Sequence, residues 1–365
     1  MQEDDILQEA DRLMTICNAC RYCEGLCAVF PAMEMRRAFT AGDLSYLANL
    51  CHDCGACYVD CPFSPPHEFD VNVPKTLAAV RARSYADYAW PRFLAPLFIR
   101  NALALAIAVP AGIGAFMLCL ILQGHPLRMS LQPAAGEADF YALIPHEDMV
   151  VLFGSTFLYG IIAIIMGGRQ FWRHMGPAPA HTSLSQALWQ AFRDAAALRY
   201  LDGGGDGCSG ALERKRDYRR LFHHLTAYGF LLCFGATSLA TIYHYLLKLE
   251  APYAWWEPPV LLGTAGGIGL VVGSAGLLVE KFRRDRALSD SRTRGMEIGF
   301  LGLLLLSGVS GLLLTVLRDS VAMPVLLALH LGVVLTFFPA LPYSKFVHGL
   351  YRFLALVRSA QERQH

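Results

Sequence analysis

Eight of the eleven cysteines stand in two runs with one spacing: Cys17, Cys20, Cys23 and Cys27, then Cys51, Cys54, Cys57 and Cys61, which Pro62 follows. Three thiolates spaced by two residues can each reach a different iron of one [4Fe-4S] cube. The fourth, displaced by three further residues, points away and ligates the other cube. The spacing therefore predicts one centre on Cys17, Cys20, Cys23 and Cys61, and a second on Cys51, Cys54, Cys57 and Cys27. Cys119, Cys208 and Cys233 form no comparable pattern. Two structural zinc ions could share eight thiolates, but zinc favours separated ligand pairs. A disulfide scaffold needs an oxidising compartment and usually a short chain. Neither rival explains the repeated two-two-three spacing closed by proline. The chemistry indicated is one-electron transfer in a reducing compartment, which puts residues 1 to about 90 on the cytoplasmic side.

Helices must present these ligands. Residues 28–50 read as a helix-turn-helix, with Met33, Met35, Phe39, Leu44, Tyr46, Leu47 and Leu50 as apolar positions and Gly42-Asp43 as the break. Residues 6–14 predict another short helix leading to Cys17. A compact ferredoxin is strand-rich between its ligand runs, so a helical dicluster ferredoxin-like domain over residues 1–92 is the expectation.

Beyond Arg100 the composition changes. The runs 101–122, 149–168, 221–247, 258–279, 298–317 and 320–344 contain no Asp, Glu, Lys or Arg. Each is about long enough to cross a hydrocarbon layer near 30 Å thick. Predicted spans are 101–122, 149–168, 223–247, 258–279, 298–317 and 322–343, within a transmembrane domain over 93–358 that contains a cytoplasmic linker, 169–222. The fold expected is all-α: a helical two-cluster domain followed by a six-helix transmembrane bundle in the lipid bilayer. The second run is the shortest and stops at Gly167-Gly168. Linker 169–222 carries nine Arg or Lys, 281–297 carries six and the tail from Lys345 carries four, whereas the opposite linkers carry Arg128, Lys248 and Arg318. That asymmetry places both termini and the basic loops in the cytoplasm. A net charge of +1 over the whole chain, with the basic residues gathered at helix ends, argues against a nucleic-acid partner.

Against these spans the histidines form levels. His223 and His224 open the third helix and His244 lies near its outer end. His330 lies in the outer part of the sixth, and His348 follows its inner end. Pairs at inner and outer depth predict axial ligands for one or two b-type haems. The alternative is that these histidines cap helices or pack in the core. His125 and His146 belong to an outer linker, and His52 is expected to order a loop beside a cluster. Gly263, Gly266, Gly267, Gly269, Gly273 and Gly276 give the fourth helix a small-residue face suited to close packing. The stretch 201–210 is too glycine-rich for regular structure. Arg214, Lys215, Arg216, Arg219 and Arg220 read as contacts to anionic lipid. Trp255 and Trp256 mark an interfacial belt.

The cysteine runs, the six spans and three segments together resemble the TcuB/CitB tricarballylate (or citrate) utilization family over essentially the whole chain. The segments are His67-Glu-Phe-Asp-Val-Asn-Val-Pro74, Arg219-Arg-Leu-Phe-His-His224 and Pro342-Tyr-Ser-Lys-Phe-Val-His348. The resemblance implies a redox partner rather than a self-sufficient dehydrogenase. In that family a separate flavoprotein, TcuA, oxidises tricarballylate to cis-aconitate, and its reduced FAD is reoxidised by passing electrons to the quinone pool. Related proteins contain haem b. Ala28 departs from the ferredoxin signature, because no proline follows the first run. The alternatives are an electron-transfer subunit of another quinone-linked complex, such as a disulfide or sulfur-compound reductase, and a zinc-stabilised membrane scaffold.

Overall fold

A computed structural model describes residues 3–99, 108–114, 146–177, 181–201, 218–284, 286–288 and 291–363, and every regular element among them is helical. The cysteine-bearing part contains α1 (Glu3–Cys20), α2 (Val29–Glu34), α3 (Ala41–Leu50), the short α4 (Ala56–Val59) and α5 (Val73–Asp87). The short α6 (Pro96–Ile99) and a helical stretch, α7, over 108–114 lead into the apolar part. There follow α8 (His146–His174), α9 (Leu184–Ala196), α10 (Tyr218–Ile242), α11 (Pro258–Arg283), α12 (Ser291–Val316), α13 (Met323–Ala340) and α14 (Val347–Glu362).

Capping chemistry moves one boundary. The Thr40 side chain accepts from Asp43 N–H, and the Asp43 carboxylate accepts from Thr40 N–H. This capping box starts α3 before Gly42-Asp43, so the break falls at 35–40 and the predicted turn becomes the first turn of a helix. The helix predicted over 6–14 is longer than expected and carries Cys17 and Cys20 in its last turns. Leu13, Met14, Met33, Leu47, Leu50, Leu77 and Val80 are fully buried between α1, α2, α3 and α5. Each such side chain contributes about 1.5–3 kcal/mol by leaving water. The same core continues into Phe171 of α8, Ala187 and Ala191 of α9, and Val347, Tyr351 and Leu356 of α14.

Among the described residues, five segments are long and apolar enough to cross a membrane: His146–His174, Tyr218–Leu247, Pro258–Arg283, Arg294–Val316 and Met323–Glu362. The predicted span 101–122 lies outside the described residues except for 108–114. The run that seemed shortest in sequence belongs to α8, a helix of 29 residues. Gly167 and Gly168 do not end it. A Cβ on Gly167 would lie 3.0 Å from Tyr88 O and one on Gly168 would lie 2.8 Å from a Leu350 methyl, so both glycines permit close packing within the helix. On α11 the small residues serve the crossing with α10: a Cβ on Gly266 would sit 2.8 Å from Gly229 O, and one on Gly229 would sit 2.6 Å from Leu270 N. α9 packs Ala187 and Ala191 inward and leaves Leu184, Leu188, Trp189 and Phe192 exposed.

Candidate functional site: two thiol sets and an adjoining cavity

Left-handed backbone curls each cysteine run around its own centre. In the first, Arg21 (φ 54°) and Gly25 (φ 83°) fall between Cys20 and Cys27; in the second, Asp53 (φ 56°) and Gly55 (φ 90°) fall between Cys51 and Cys57. The turns are closed by Arg21 N–H donating to Cys17 O (2.8 Å) and Leu26 N–H donating to Cys23 O (3.1 Å). Asp53 N–H donates to the Cys51 sulfur at 3.4 Å.

Electrostatic neighbourhoods sort the thiols. Burial, followed by the neighbouring Cys23, Cys61 and Cys20, pushes Cys17 up to about 12. Burial, followed by Cys61 and Cys20, pushes Cys23 up to about 11. Cys27 is raised by burial and then by Cys54 and Cys51, and Cys57 by burial and then by Cys51, Cys27 and Cys54, with Cys23 of the first set a lesser neighbour. Cys27, Cys51, Cys54 and Cys57 also line one small cavity, otherwise walled mainly by Leu26, Val29, Phe30, Val73 and Pro74. Thiols crowded and buried in this way hold their protons until a cation is shared between them, and a metal centre supplies one. Among the described residues, no three His, Cys, Asp or Glu side chains gather closely enough to hold a single metal ion. A cube accepts one thiolate on each of four irons, so its ligands stand apart by the width of the core. The donor sets fit that group.

Sharing His52 and Cys54 with this cavity is a much larger one of about 770 Å³. Its lining includes the polar Asp53, Arg81, Arg219, Arg284 and Arg352 and the apolar Phe230, Leu231, Phe300, Leu304 and Phe346. It also includes His223 of α10 and His348 of α14, with ring centres 6.0 Å apart and planes at 76°. Metal–imidazole bonds run to about 2.0–2.1 Å, so two rings this near to each other are close enough to share one ion. The His348 Nδ1–H donates to the Lys345 carbonyl. A carbonyl can only accept, so Nε2 is left as the lone-pair nitrogen, the arrangement that orients a ligating imidazole. His223 Nδ1 is buried with no hydrogen-bond partner. The cavity and this pair fit a haem.

The other histidines are placed differently. His224 Nε2–H donates to Ala196 O at 3.1 Å, and its ring stacks on Tyr228, which turns it toward α9. His244 stacks on His146 at 3.6 Å, while His330 Nδ1 lies 3.0 Å from Ser310 Oγ. His244 thus meets His146, and His330 meets Ser310. His52 Nδ1 donates to Leu50 O at 2.9 Å and holds the loop after Cys51. His125, Cys119, Cys208, Arg214, Lys215 and Arg216 lie outside the described residues. Arg219, read from sequence as a lipid contact, instead donates to the Asp53 and His52 carbonyls at 2.9 and 3.4 Å. Sequence reasoning missed the arginines around Cys51 to Cys54. Their available signal was spacing: Arg219 precedes His223 by four residues and Arg352 follows His348 by four, one helical turn in each case.

A helical, cysteine-rich unit packed onto long apolar helices, with one thiol set exposed and the other near the junction, defines the class of protein. The matching families agree with that class: "Citrate utilization protein B Fer4-like domain" matches residues 10–87 and "Citrate utilization protein B" matches residues 96–365. The chain belongs to the citrate utilization protein B family. A citrate utilization protein B from Escherichia coli is 45% identical over 361 residues, which cover 98% of this chain and 92% of that protein. No solved structure is significantly similar to it.

Proposed function

We propose that this chain is a membrane electron-transfer protein. It reoxidises the reduced FAD of a separate tricarballylate dehydrogenase and delivers the electrons, through two [4Fe-4S] clusters and a b-type haem, to the quinone pool. The observation that carries this reading is the adjoining pair of cavities: one lined by Cys27, Cys51, Cys54 and Cys57, the next by Cys54, His52, His223 and His348. Family membership and the five long apolar segments support it. In this reading residues 1–92 form the cytoplasmic cluster domain, residues 93–358 cross the membrane six times, and both termini are cytoplasmic.

When bound, the cubes and the haem supply one-electron carriers, so a two-electron flavin is emptied in single steps. The chain supplies the placement. Cys17, Cys20, Cys23 and Cys61 would hold the first cube where Cys20 and Tyr22 are exposed to a partner. Cys27, Cys51, Cys54 and Cys57 would hold the second in a mainly apolar pocket. His223 and His348 would hold the haem, and Phe230, Phe300 and Phe346 supply apolar lining beside them.

Anaerobic purification in detergent tests the proposal when iron, acid-labile sulfide, haem and zinc are measured on one sample. Roughly eight cluster irons per chain together with haem is the expected result. Colourless protein holding zinc rejects it.

A further inference from the structure

Four arginines from four separate elements converge on three consecutive carbonyls of the loop that carries Cys51 and Cys54. Arg81 of α5 donates to Cys51 O at 2.6 Å and to Ala48 O at 3.1 Å. Arg352 of α14 donates to the same Cys51 O at 2.8 Å. Arg219 of α10 takes Asp53 O and His52 O, and Arg284, just beyond α11, takes Asp53 O at 2.8 Å and Asp53 Oδ2 at 2.9 Å. Arg81 is buried and the other three are half-buried. The acid within this group is Asp53. Glu297, on the wall of the same cavity, is engaged by Lys281 and Lys345, and Glu280 completes the acidic lining.

Among the described residues, no comparable group of arginines bonds to the first thiol set. There Arg21 turns its guanidinium to Asn18 O at 3.2 Å, and Asp60 lies near Cys23. Basic groups are therefore gathered at the second set and not at the first.

A purely mechanical purpose does not account for the seam. Carbonyls can be capped by any donor, and a neutral amide would do so without the cost of burying a guanidinium. What four arginines add over four amides is charge. Reduction adds one negative charge to a cluster, and a cluster's potential responds to net charge, hydrogen bonds and exposure. Burial works against reduction at the second set, so magnitudes decide. One unit charge about 10 Å away, at an effective dielectric near 20, changes an equilibrium by roughly tenfold. Four cations stand against the single acid of the group, Asp53, and their summed charge favours the reduced form of a centre held there.

On the relay reading above, we infer that Arg81, Arg219, Arg284 and Arg352 hold the centre on Cys27, Cys51, Cys54 and Cys57 at a higher reduction potential than the centre on Cys17, Cys20, Cys23 and Cys61. Electrons entering at the exposed set then run downhill toward His223 and His348. The step is a single electron leaving one centre and reducing the next; no bond breaks and no proton moves.

The test is an EPR-monitored potentiometric titration of the full chain, purified anaerobically in detergent, with Cys20→Ser used to assign the exposed centre's signal. In the wild type the buried centre should reduce first. Arg284→Gln, which keeps a donor and loses the charge, should move the buried centre negative until its share of electrons relative to the exposed centre falls roughly tenfold. Arg284→Lys should restore it, and the exposed centre should stay still in both. Asp53→Asn, whose side chain tolerates the left-handed backbone there, should move the buried centre the other way. A buried centre that reduces last in the wild type overturns the inference. So does an unchanged potential in both Arg284→Gln and Asp53→Asn, or an equal shift in Arg284→Gln and Arg284→Lys; the relay would survive these results. Absence of any cluster signal in the wild type overturns the relay and the seam with it.

Discussion

The two thiol sets share a spacing and almost nothing else. Cys17 and Cys20 leave the end of a helix, and Cys20 is exposed beside the exposed Tyr22, with Val59 exposed near Cys61. Cys51 is buried, and its loop is clasped by arginines from α5, α10, α14 and the end of α11. An identical ligand pattern has thus been placed once at a water-facing surface and once at the junction with the apolar helices. On the proposed relay reading, the surrounding structure rather than the cysteine spacing would distinguish an entry point from an inward relay.

Ligand substitutions should break this symmetry most strongly. Cys54→Ser is expected to cost about half of the cluster iron and, because the arginines clasp that loop, to loosen the haem as well. Cys20→Ser should remove the other centre and leave haem content intact. Iron and haem assays on the two proteins check this, and equal haem loss in both would mean that the sets do not differ as described.

At the cavity, His223→Ala or His348→Ala should abolish haem absorbance with cluster iron retained, whereas His224→Ala, whose ring faces Ala196, should keep it. Visible spectra decide the matter; haem loss in His224→Ala alone would move the ligand by one residue.

Next in size is the tie between the cluster-bearing helices and α14. Arg36 bonds Glu362 at 2.7 Å and Asp43 at 2.5 Å, and Glu362 is 3% exposed. Arg36→Ala leaves that carboxylate held by Arg358 and Tyr46 and should lower stability by about 3 kcal/mol, measurable by denaturation in detergent. Thr40→Ala, which deletes the cap of α3, should cost about 1 kcal/mol. The smallest effect is one of pH. Burial disfavours the Asp43 carboxylate, but hydrogen bonds from Thr40 and Arg36 outweigh it and hold its pKa below the ordinary value of 3.8. Its contribution is complete above that value and is lost as pH falls through the lower, folded-state value. Comparing the acid limb of stability in the wild type and Asp43→Asn reads it out.

How much of this was legible differed by residue. The repeated cysteine spacing followed from the sequence directly, because it lies within two short stretches of chain. The length of α8 did not, since Gly167-Gly168 reads as a stop unless the close approach of Tyr88 and Leu350 is known. Gly42-Asp43 was misread as a break because the same residue types open helices as readily as they end them. His223 was legible as one of an adjacent pair with His224, but the choice between them depended on the carbonyl of Ala196, which comes from another helix.

Local chemistry, then, was written in the chain itself: thiols at ligand spacing and apolar runs of membrane length. Those properties depend on neighbours within a few turns, and short-range sterics and hydropathy suffice to read them. Which histidines face each other across the 770 Å³ cavity, and which of two equivalent cysteine sets lies among arginines, was decided only when distant helices packed. Long-range charge and burial are sums over residues far apart in sequence, and no local pattern encodes them.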